Sequence, residues 1–287
     1  MEKDTIKKLL ALKSLKGYGN AKLYEVLASK NNLEEFFQKA IQTNQITDND
    51  LMKAEKIIEY CKKNSVKMIS IYDSIYPSTL KKTSSPPMVL FARGNLELLS
   101  KPKIAIVGTR KSSKETLDWV YQKSKELSNE GFVIVSGGAL GVDIYAHKGA
   151  LDANGNTICV LGCGFENIYP KENRVLIESI GEKGLLLSEY SLGREVNRIG
   201  LIERNKITSG ISDGVIIAST DIVGGSMNQY KISKSQKKTI ICPSPSLNLE
   251  PNIGIKKIIK DGKVNVITST KDILNSLKPK NLTLAVF

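Results

Sequence analysis

The chain has 287 residues, of which 41% are hydrophobic and 25% are charged, so it can bury one full core and a smaller companion. Its 42 Lys and Arg residues against 29 Asp and Glu residues give a formal net charge of +13, which favours a polyanionic partner such as nucleic acid. A basic surface without such a partner has the same composition. No stretch approaches the ~20 apolar residues that cross a bilayer, so we expect no membrane contact and a cytoplasmic location.

Residues 1–65 are predicted to form a small all-helical domain, because their apolar residues recur every three or four positions. Segment 15–20, Leu-Lys-Gly-Tyr-Gly-Asn, lies between the first two helices, and its two glycines permit a tight turn. The turn resembles that of a helix-hairpin-helix motif, which can hold one phosphate. An ordinary connection between helices has the same composition, and we favour that interpretation.

From residue 66 onward, short β-branched runs alternate with helical stretches, a pattern that predicts an α/β fold with a mainly parallel sheet. This domain is expected to span residues 66–275, and residues 276–287 are expected to form a short tail. The predicted strands are 68–72, 88–93, 104–107, 133–136, 157–161, 185–188, 214–218, 239–241 and 265–267. The predicted helices are 115–129, 143–153, 173–180, 203–211, 226–235 and 253–260.

The first segment of chemical interest follows the strand 104–107, where the chain reads Gly108, Thr109 and Arg110. Ligands of open parallel sheets bind beyond the carboxyl ends of the strands, so this segment is placed to meet phosphate. Gly108 permits close approach of the backbone, and the guanidinium of Arg110 can donate two hydrogen bonds to phosphate oxygens. The GxGxxG pattern of dinucleotide-binding proteins is missing from it, and no cofactor is predicted.

A second segment, with Ser136, Gly137 and Gly138, follows the next strand. Glycines between a strand and a helix leave backbone amides free to converge on an anion, and the hydroxyl of Ser136 is a further donor. Asp143 is predicted to be the N-cap of the following helix. His147, the only histidine, has no partner at a catalytic spacing, so we interpret it as a packing or polar-contact residue.

A third cluster, with Gly164, Phe165, Tyr169 and Lys171, follows the strand 157–161. Aromatic rings beside cations can stack on unpaired bases while the cations hold the backbone. A tyrosine followed by proline is also typical of a structural turn. We therefore predict a base contact from only one of the two aromatic rings.

A fourth cluster, with Arg204, Asn205 and Lys206, is interpreted as the opening of a helix, where donors suit phosphate or a base edge. Ser226 stands after a glycine pair that follows the strand 214–218. Such clusters at successive strand ends are hard to explain as isolated turns. Together they predict one anion-binding rim along the carboxyl edge of the sheet.

Cysteine and carboxylate side chains indicate neither a metal site nor a catalytic one. The cysteines at positions 61, 159, 163 and 242 lack CxxC spacing and are interpreted as reduced core residues. The alternative, a zinc site at Cys159 and Cys163, is disfavoured because the paired knuckle spacing is missing. No paired carboxylates with metal-ligand spacing accompany the glycine segments. Glu189 has the neighbourhood nearest to that of a catalytic glutamate, and we expect it to anchor a loop by accepting backbone hydrogen bonds.

The same segments, in this order, resemble the DprA/Smf family of DNA-processing proteins. The resemblance covers about residues 66–270. It rests on Tyr76-Pro77, 86–95 (PPMVLFARGN), 106–110 (IVGTR), 136–143 (SGGALGVD), His147, Tyr169-Pro170 with Asn173, 187–190 (LSEY) and Arg204-Asn205. Three places depart from the family pattern: Leu201-Ile202 replaces the usual Phe-Pro, Lys206 stands where arginine is common, and segment 224–230 replaces a Ser-Gly-Ser-Leu segment.

The resemblance implies an extended Rossmann-like fold with a basic pocket for single-stranded DNA. By motif, the pocket would use Gly108, Arg110, Ser136, Gly137, Arg204 and Asn205. It also implies a homodimer without enzymatic activity that protects incoming DNA and loads the RecA recombinase during natural transformation. Two alternatives stay open: a Rossmann-like enzyme acting on a small phosphorylated nucleotide, and a sensor that binds such a nucleotide without DNA.

Overall fold

A computed structural model describes residues 2–30, 32–191 and 193–277. Its strands are β1 Lys67–Ser70, β2 Val89–Gly94, β3 Lys103–Val107, β4 Val133–Ser136, β5 Thr157–Leu161, β6 Leu185–Ser188, β7 Gly214–Ile217, β8 Thr239–Pro243 and β9 Asn265–Ile267. Its α-helices are α1 Glu2–Leu12, α2 Asn20–Lys30, α3 Leu33–Gln42, α4 Asp48–Lys63, α5 Ser78–Lys81, α6 Lys114–Asn129, α7 Val142–Asp152, α8 Arg174–Lys183, α9 Arg198–Ile211, α10 Gly225–Ser235, α11 Ile253–Lys260 and α12 Thr270–Leu277.

The strands form one sheet in the order β1-β2-β6-β5-β4-β3-β7-β8-β9. In the part of the sheet that begins with β6 and ends with β9, all neighbouring strands run parallel. Strand β2 is antiparallel to both of its neighbours, β1 and β6. The parallel strands are covered on both faces, so β3, β4, β5 and β7 are buried along their whole length and consist mainly of aliphatic residues. This confirms the predicted α/β fold with a mainly parallel sheet.

Helix α9 begins at Arg198 and not at residue 203 as predicted, so Arg204 lies in its second turn. Asn197 caps the helix, because its side-chain oxygen accepts a hydrogen bond from the amide of Gly200 at 2.7 Å. Periodicity missed this turn because its aliphatic residue Ile199 is 67% exposed. The prediction that Arg204, Asn205 and Lys206 open the helix was therefore wrong.

The helical N-terminal part packs against the antiparallel edge of the sheet. Helix α1 lies against β1 and β2, and helix α4 lies against β1. Leu12 and Cys61 of the helices belong to one continuous buried cluster with Ile69 and Phe91 of the strands. The boundary that we predicted between residues 65 and 66 falls between α4 and β1, and the two parts share this apolar core.

The turn between α1 and α2 is held at the carboxyl end of β6 by Glu189. The ammonium of Lys13 donates a hydrogen bond to the Glu189 carbonyl oxygen at 3.1 Å, and the side-chain amide of Asn20 donates to its carboxylate at 2.7 Å. Glu189 does anchor a loop, but through side-chain donors and not through the backbone hydrogen bonds that we predicted. The turn therefore lies at the edge of the sheet where the glycine segments end.

Other expectations concern the cysteines, the tail and the membrane. All four cysteines are buried and unpaired, as predicted. In the predicted tail, Ser276 and Leu277 complete α12, and residues 278–287 lie outside the described part of the chain. Among the helices of the described residues, none is both long and apolar enough to cross a membrane.

Candidate functional site

A cleft of about 650 Å³ opens at the carboxyl ends of the parallel strands. Its lining comes from segment 107–111 after β3, from Ala139 and Asp143 around the start of α7, from one face of α9, and from residues within 221–229. The strand order reverses between β3 and β7, because β4, β5 and β6 lie on one side of β3 and β7, β8 and β9 on the other. Ligands of open α/β sheets bind at this kind of switch point.

The cleft brings together part of the predicted site. The predicted residues that line it are Gly108, Thr109, Arg110, Arg204, Asn205 and Ser226. The predicted residues outside its lining are Ser136, Gly137, Gly138, Gly164, Phe165, Tyr169, Lys171 and Lys206. The segments after β3 and β7 and the middle of α9 thus form the cleft, whereas the segment after β5 lies apart from it.

Segment 108–110 presents a compact backbone and an exposed cation. A Cβ on Gly108 would lie 2.5 Å from the nearest side-chain carbon of Val142 and 3.0 Å from the hydroxyl of Ser219. Only glycine therefore fits there without a shift, and the chain passes close to the start of α7. Arg110 is exposed beside the cleft, as a phosphate-binding guanidinium would have to be.

Ser136 and Gly137 have structural tasks that their sequence pattern did not indicate. The hydroxyl of Ser136 is fully buried and donates a hydrogen bond to the carbonyl oxygen of Ile106 at 2.7 Å. It is engaged inside the sheet, so our prediction of a free donor was wrong. A Cβ on Gly137 would lie 1.1 Å from Nη1 of Arg204, so this glycine makes room for the guanidinium.

Arg204 and Asp143 form a buried ion pair in the lining of the cleft. Nη1 of Arg204 lies 3.5 Å from Oδ2 of Asp143, and the two residues are only 7% and 5% exposed. Burial raises the pKa of Asp143, and the neighbouring guanidinium opposes that rise. Asp143 is not the predicted N-cap: Gly141 has that position, and Asp143 lies inside the first turn of α7.

His147 lies one turn after Asp143 on α7 and is fully buried. Its Nδ1 is 2.7 Å from the hydroxyl of Thr157, and that hydroxyl donates its own proton to the carbonyl oxygen of Ile134. Nδ1 must therefore carry the proton that His147 donates to Thr157, which leaves Nε2 as an acceptor. Nε2 has no hydrogen-bond partner among the described residues, and burial lowers the pKa of His147 to about 3. The packing and polar-contact role is confirmed.

The loop after β5 differs from the prediction in its aromatic residues. Phe165 is buried, with the guanidinium carbon of Arg93 5.5 Å from its ring centroid, so Phe165 cannot stack on a base in this structure. Tyr169 is 39% exposed. The prediction of a base contact from one ring of this loop therefore stays a prediction for Tyr169 alone.

The remaining predicted residues have partners inside the protein or lie at its surface. The amide of Gly164 donates to the carbonyl oxygen of Arg194 at 2.9 Å, and the carbonyl of Gly138 accepts from Asn173 at 3.0 Å. Lys206 pairs with Glu203 at 2.7 Å. Lys171 is exposed on the loop after β5.

The start of α9 packs on the end of β5 through two glycines. A Cβ on Gly200 would lie 2.4 Å from the carbonyl oxygen of Gly162, and a Cβ on Gly162 would lie 3.0 Å from that of Gly200. Gly162 thus allows the start of α9 to approach the end of β5 closely. This contact positions the face of α9 that lines the cleft.

We expect Gly200→Ala to lower the melting temperature, because the new methyl group meets a backbone oxygen. Overpacking of this kind costs about 1–3 kcal/mol, and we expect a value near 1 because the helix start can shift. Thermal unfolding followed by circular dichroism measures the change. Gly225→Ala is the matched control, since no atom lies within 4 Å of its new Cβ. Equal melting temperatures for the two variants would contradict the close contact between Gly200 and the backbone of Gly162.

Several residues of the cleft lining were missing from the predicted site, among them two cations and an exposed apolar residue. Lys111 and Arg198 are exposed cations in its lining, and Val223 is an exposed apolar residue there. The Asn197 cap was the sequence signal for Arg198, because it places the first turn of α9 at the cleft. No pattern in the sequence pointed to Val223.

These features define a class: an α/β protein with a doubly wound sheet and a cleft at its switch point that is lined by glycine backbone and exposed cations. The model of the family described as DNA recombination-mediator protein A matches residues 67–278. The chain belongs to this DNA-processing family, and the resemblance to DprA/Smf proteins is confirmed.

Curated relatives extend the match. The chain is 37% identical over 205 residues to the DNA processing protein DprA of Streptococcus pneumoniae, covering 71% of this chain and 72% of that protein. It is 33% identical over 257 residues to DprA of Bacillus subtilis, covering 89% and 81%. It is 30% identical over 272 residues to Protein Smf of Synechocystis, covering 93% of this chain but only 63% of that longer protein.

Two solved structures have the same fold. DNA processing protein A from Streptococcus pneumoniae superposes with a TM-score of 0.79 at 31% identity, covering 94% of this chain and 96% of that one. The protein from Helicobacter pylori superposes with a TM-score of 0.67 at 31% identity, covering 74% and 95%. The latter structure concerns the single-stranded DNA binding mode of the Helicobacter protein.

Proposed function

We propose that this protein binds single-stranded DNA in the cleft and acts as a recombination mediator. The observation that carries the proposal is the set of exposed cations, Arg110, Lys111 and Arg198, around a cleft at the switch point of the sheet. Its family membership and the DNA-binding mode studied in the Helicobacter protein support it. Because guanidinium and ammonium groups contact phosphate, binding should tolerate many sequences.

Arg110 is the residue on which the proposal is tested. We expect Arg110→Ala to weaken binding of a fluorescent single-stranded oligonucleotide about tenfold, which is about 1.4 kcal/mol. The loss should be similar for different sequences, and the slope of log affinity against log salt should become shallower by about 0.7 for one lost phosphate contact. Fluorescence anisotropy over a series of salt concentrations measures both quantities.

Lys53→Ala is the control for a change of one charge. Lys53 lies on α4 with its side chain 63% exposed, outside the lining of the cleft, so its removal should leave the affinity unchanged. The alternative function, a sensor or enzyme for a small phosphorylated nucleotide, predicts the opposite pattern. Tight binding of a mononucleotide without oligonucleotide binding at low salt would overturn the DNA proposal.

We further propose that the protein protects incoming DNA and loads the RecA recombinase on it during natural transformation, as a homodimer in the cytoplasm. This role requires binding without cleavage. A labelled oligonucleotide should stay intact in the presence of the protein and Mg²⁺, and nuclease digestion of that oligonucleotide should slow down.

The mediator role and the homodimer have their own tests. RecA assembly on DNA coated with single-strand-binding protein should accelerate, and sedimentation should give the mass of two chains. Failure of the RecA assay would reject the mediator role and leave DNA binding standing.

A further inference from the structure

One part of the cleft lining is apolar. Leu201 and Ile202 lie three and four residues after Arg198, and Asn205 lies four and three residues after them, so these residues occupy the same face of α9. All four line the cleft. Val223 joins this lining from the segment before α10. The cleft therefore has an aliphatic side in addition to its cations.

Val223 is 84% exposed, which its packing in the fold does not explain. Gly224 follows it with φ of +147°, a conformation that favours glycine, and no atom lies within 4 Å of a Cβ built there. The segment thus holds a large apolar side chain out into solvent at the mouth of the cleft. Exposed apolar residues in a binding cleft are candidates for contact with a ligand.

Thr220 and Ser226, which flank the segment that carries Val223, are held by hydrogen bonds. The amide of Thr220 donates to the carbonyl oxygen of Pro251 at 3.1 Å, and the carbonyl of Thr220 accepts from the amide of Gly254 at 2.9 Å. The hydroxyl of Ser226 donates to the hydroxyl of Thr220 at 2.8 Å, and the latter donates to the carbonyl oxygen of Asp221. Val223 is therefore presented from a fixed base, so a contact with it needs little ordering of the protein.

We propose that Val223, together with Leu201 and Ile202, forms an apolar platform for the unpaired bases of the bound strand. The inference rests on the proposed DNA binding and extends it to the bases. A single strand carries anionic phosphates and, away from them, uncharged bases with apolar faces. Arg110, Lys111 and Arg198 match the phosphates, and the aliphatic side of the cleft matches the base faces.

This platform selects single strands over duplex. In a duplex the base faces are stacked inside the helix and cannot reach a side chain, whereas in a single strand they are accessible. An aliphatic side chain makes no hydrogen bond to a base edge, so the contact accepts any base. Selectivity for unpaired DNA and tolerance of sequence then follow from the same residues.

The test uses Val223→Ser and two oligonucleotides of equal length, one of thymidines and one in which abasic sites replace the bases. We expect Val223→Ser to weaken binding of the thymidine strand about three- to tenfold, a range consistent with loss of part of the burial of a valine side chain. Binding of the abasic strand, which keeps every phosphate, should not change. Val223→Leu, which keeps an aliphatic contact, should bind the thymidine strand at least as well as the wild type.

Val175→Ser is the matched control, because Val175 on α8 is 82% exposed and lies outside the cleft lining. It should bind both strands as the wild type does. Equal losses of Val223→Ser on the two strands, or no loss on either, would overturn the platform. Wild-type protein that binds both strands equally would also overturn it and leave phosphate binding standing, whereas wild-type protein that binds neither strand would reject the proposed function itself.

Discussion

Replacing Arg204 with methionine is expected to lower the free energy of unfolding by about 3–5 kcal/mol. The variant removes the guanidinium that lies 3.5 Å from the Asp143 carboxylate, while that carboxylate stays buried at 5% exposure. A buried charge without a partner is far more costly than the loss of an exposed pair, because water cannot reach it. Urea unfolding followed by the fluorescence of the single tryptophan, Trp119, measures the change.

Two further variants separate the ion pair from other effects of the substitution. Arg204→Met combined with Asp143→Asn should recover part of the loss, because the uncompensated charge is gone. Arg174→Met removes an exposed arginine that pairs with Glu178 at 2.9 Å, and should change stability by less than about 1 kcal/mol. A double variant no more stable than Arg204→Met would contradict the view that the charge of Asp143 causes the loss.

The double variant also tests whether Arg204 contacts DNA directly or only shapes the cleft. The sequence predicted Arg204 as a DNA contact, and the structure places it in the cleft lining with only 7% of its surface exposed. If its task is to shape the cleft floor, the double variant should bind oligonucleotide more tightly than Arg204→Met does. If Arg204 contacts phosphate directly, both variants should show the same loss and the same shallower salt slope.

The strands were predictable because of how deeply they are buried. Those at the centre of the sheet are covered on both faces, so β3 and β7 consist mainly of aliphatic residues, and Gly108 directly follows β3. The parallel arrangement in turn placed Gly108, Thr109 and Arg110 at the carboxyl edge, where the cleft lies. These inferences use only local pattern and a general rule of α/β topology.

The site residues that were misjudged depend on contacts between distant parts of the chain. The hydroxyl of Ser136 donates a hydrogen bond to the carbonyl oxygen of Ile106, and the ring of Phe165 packs beside Arg93. Gly137 leaves space for a side chain of α9 and not for a phosphate. A glycine or serine after a strand has the same appearance in sequence whether it faces a ligand or a neighbouring helix, so only the three-dimensional packing separates the two.

His147 should make the protein less stable in mild acid. Burial lowers its pKa in the folded state to about 3, whereas an exposed histidine has a pKa near 6.5, so below pH 6.5 the unfolded chain binds a proton that the folded chain does not. The stability that the neutral ring contributes is complete above pH 6.5 and is lost as the pH falls toward 3. Between pH 7.5 and pH 5 the wild type should lose about 2 kcal/mol from this residue.

The variant His147→Gln isolates this effect, because its side chain does not titrate while the carboxylates of both proteins do so alike. Between pH 7.5 and pH 5 the free energy of unfolding falls in both proteins. We expect the fall to be about 2 kcal/mol smaller in His147→Gln than in the wild type, whatever the stability of the variant at pH 7.5. Since His147 is the only histidine, its Cε1 proton gives one unambiguous NMR signal in the folded protein. That signal should keep its chemical shift from pH 7.5 to pH 5, and titration with a midpoint near 6.5 would show that water reaches the ring and that Nε2 is not held as a neutral acceptor.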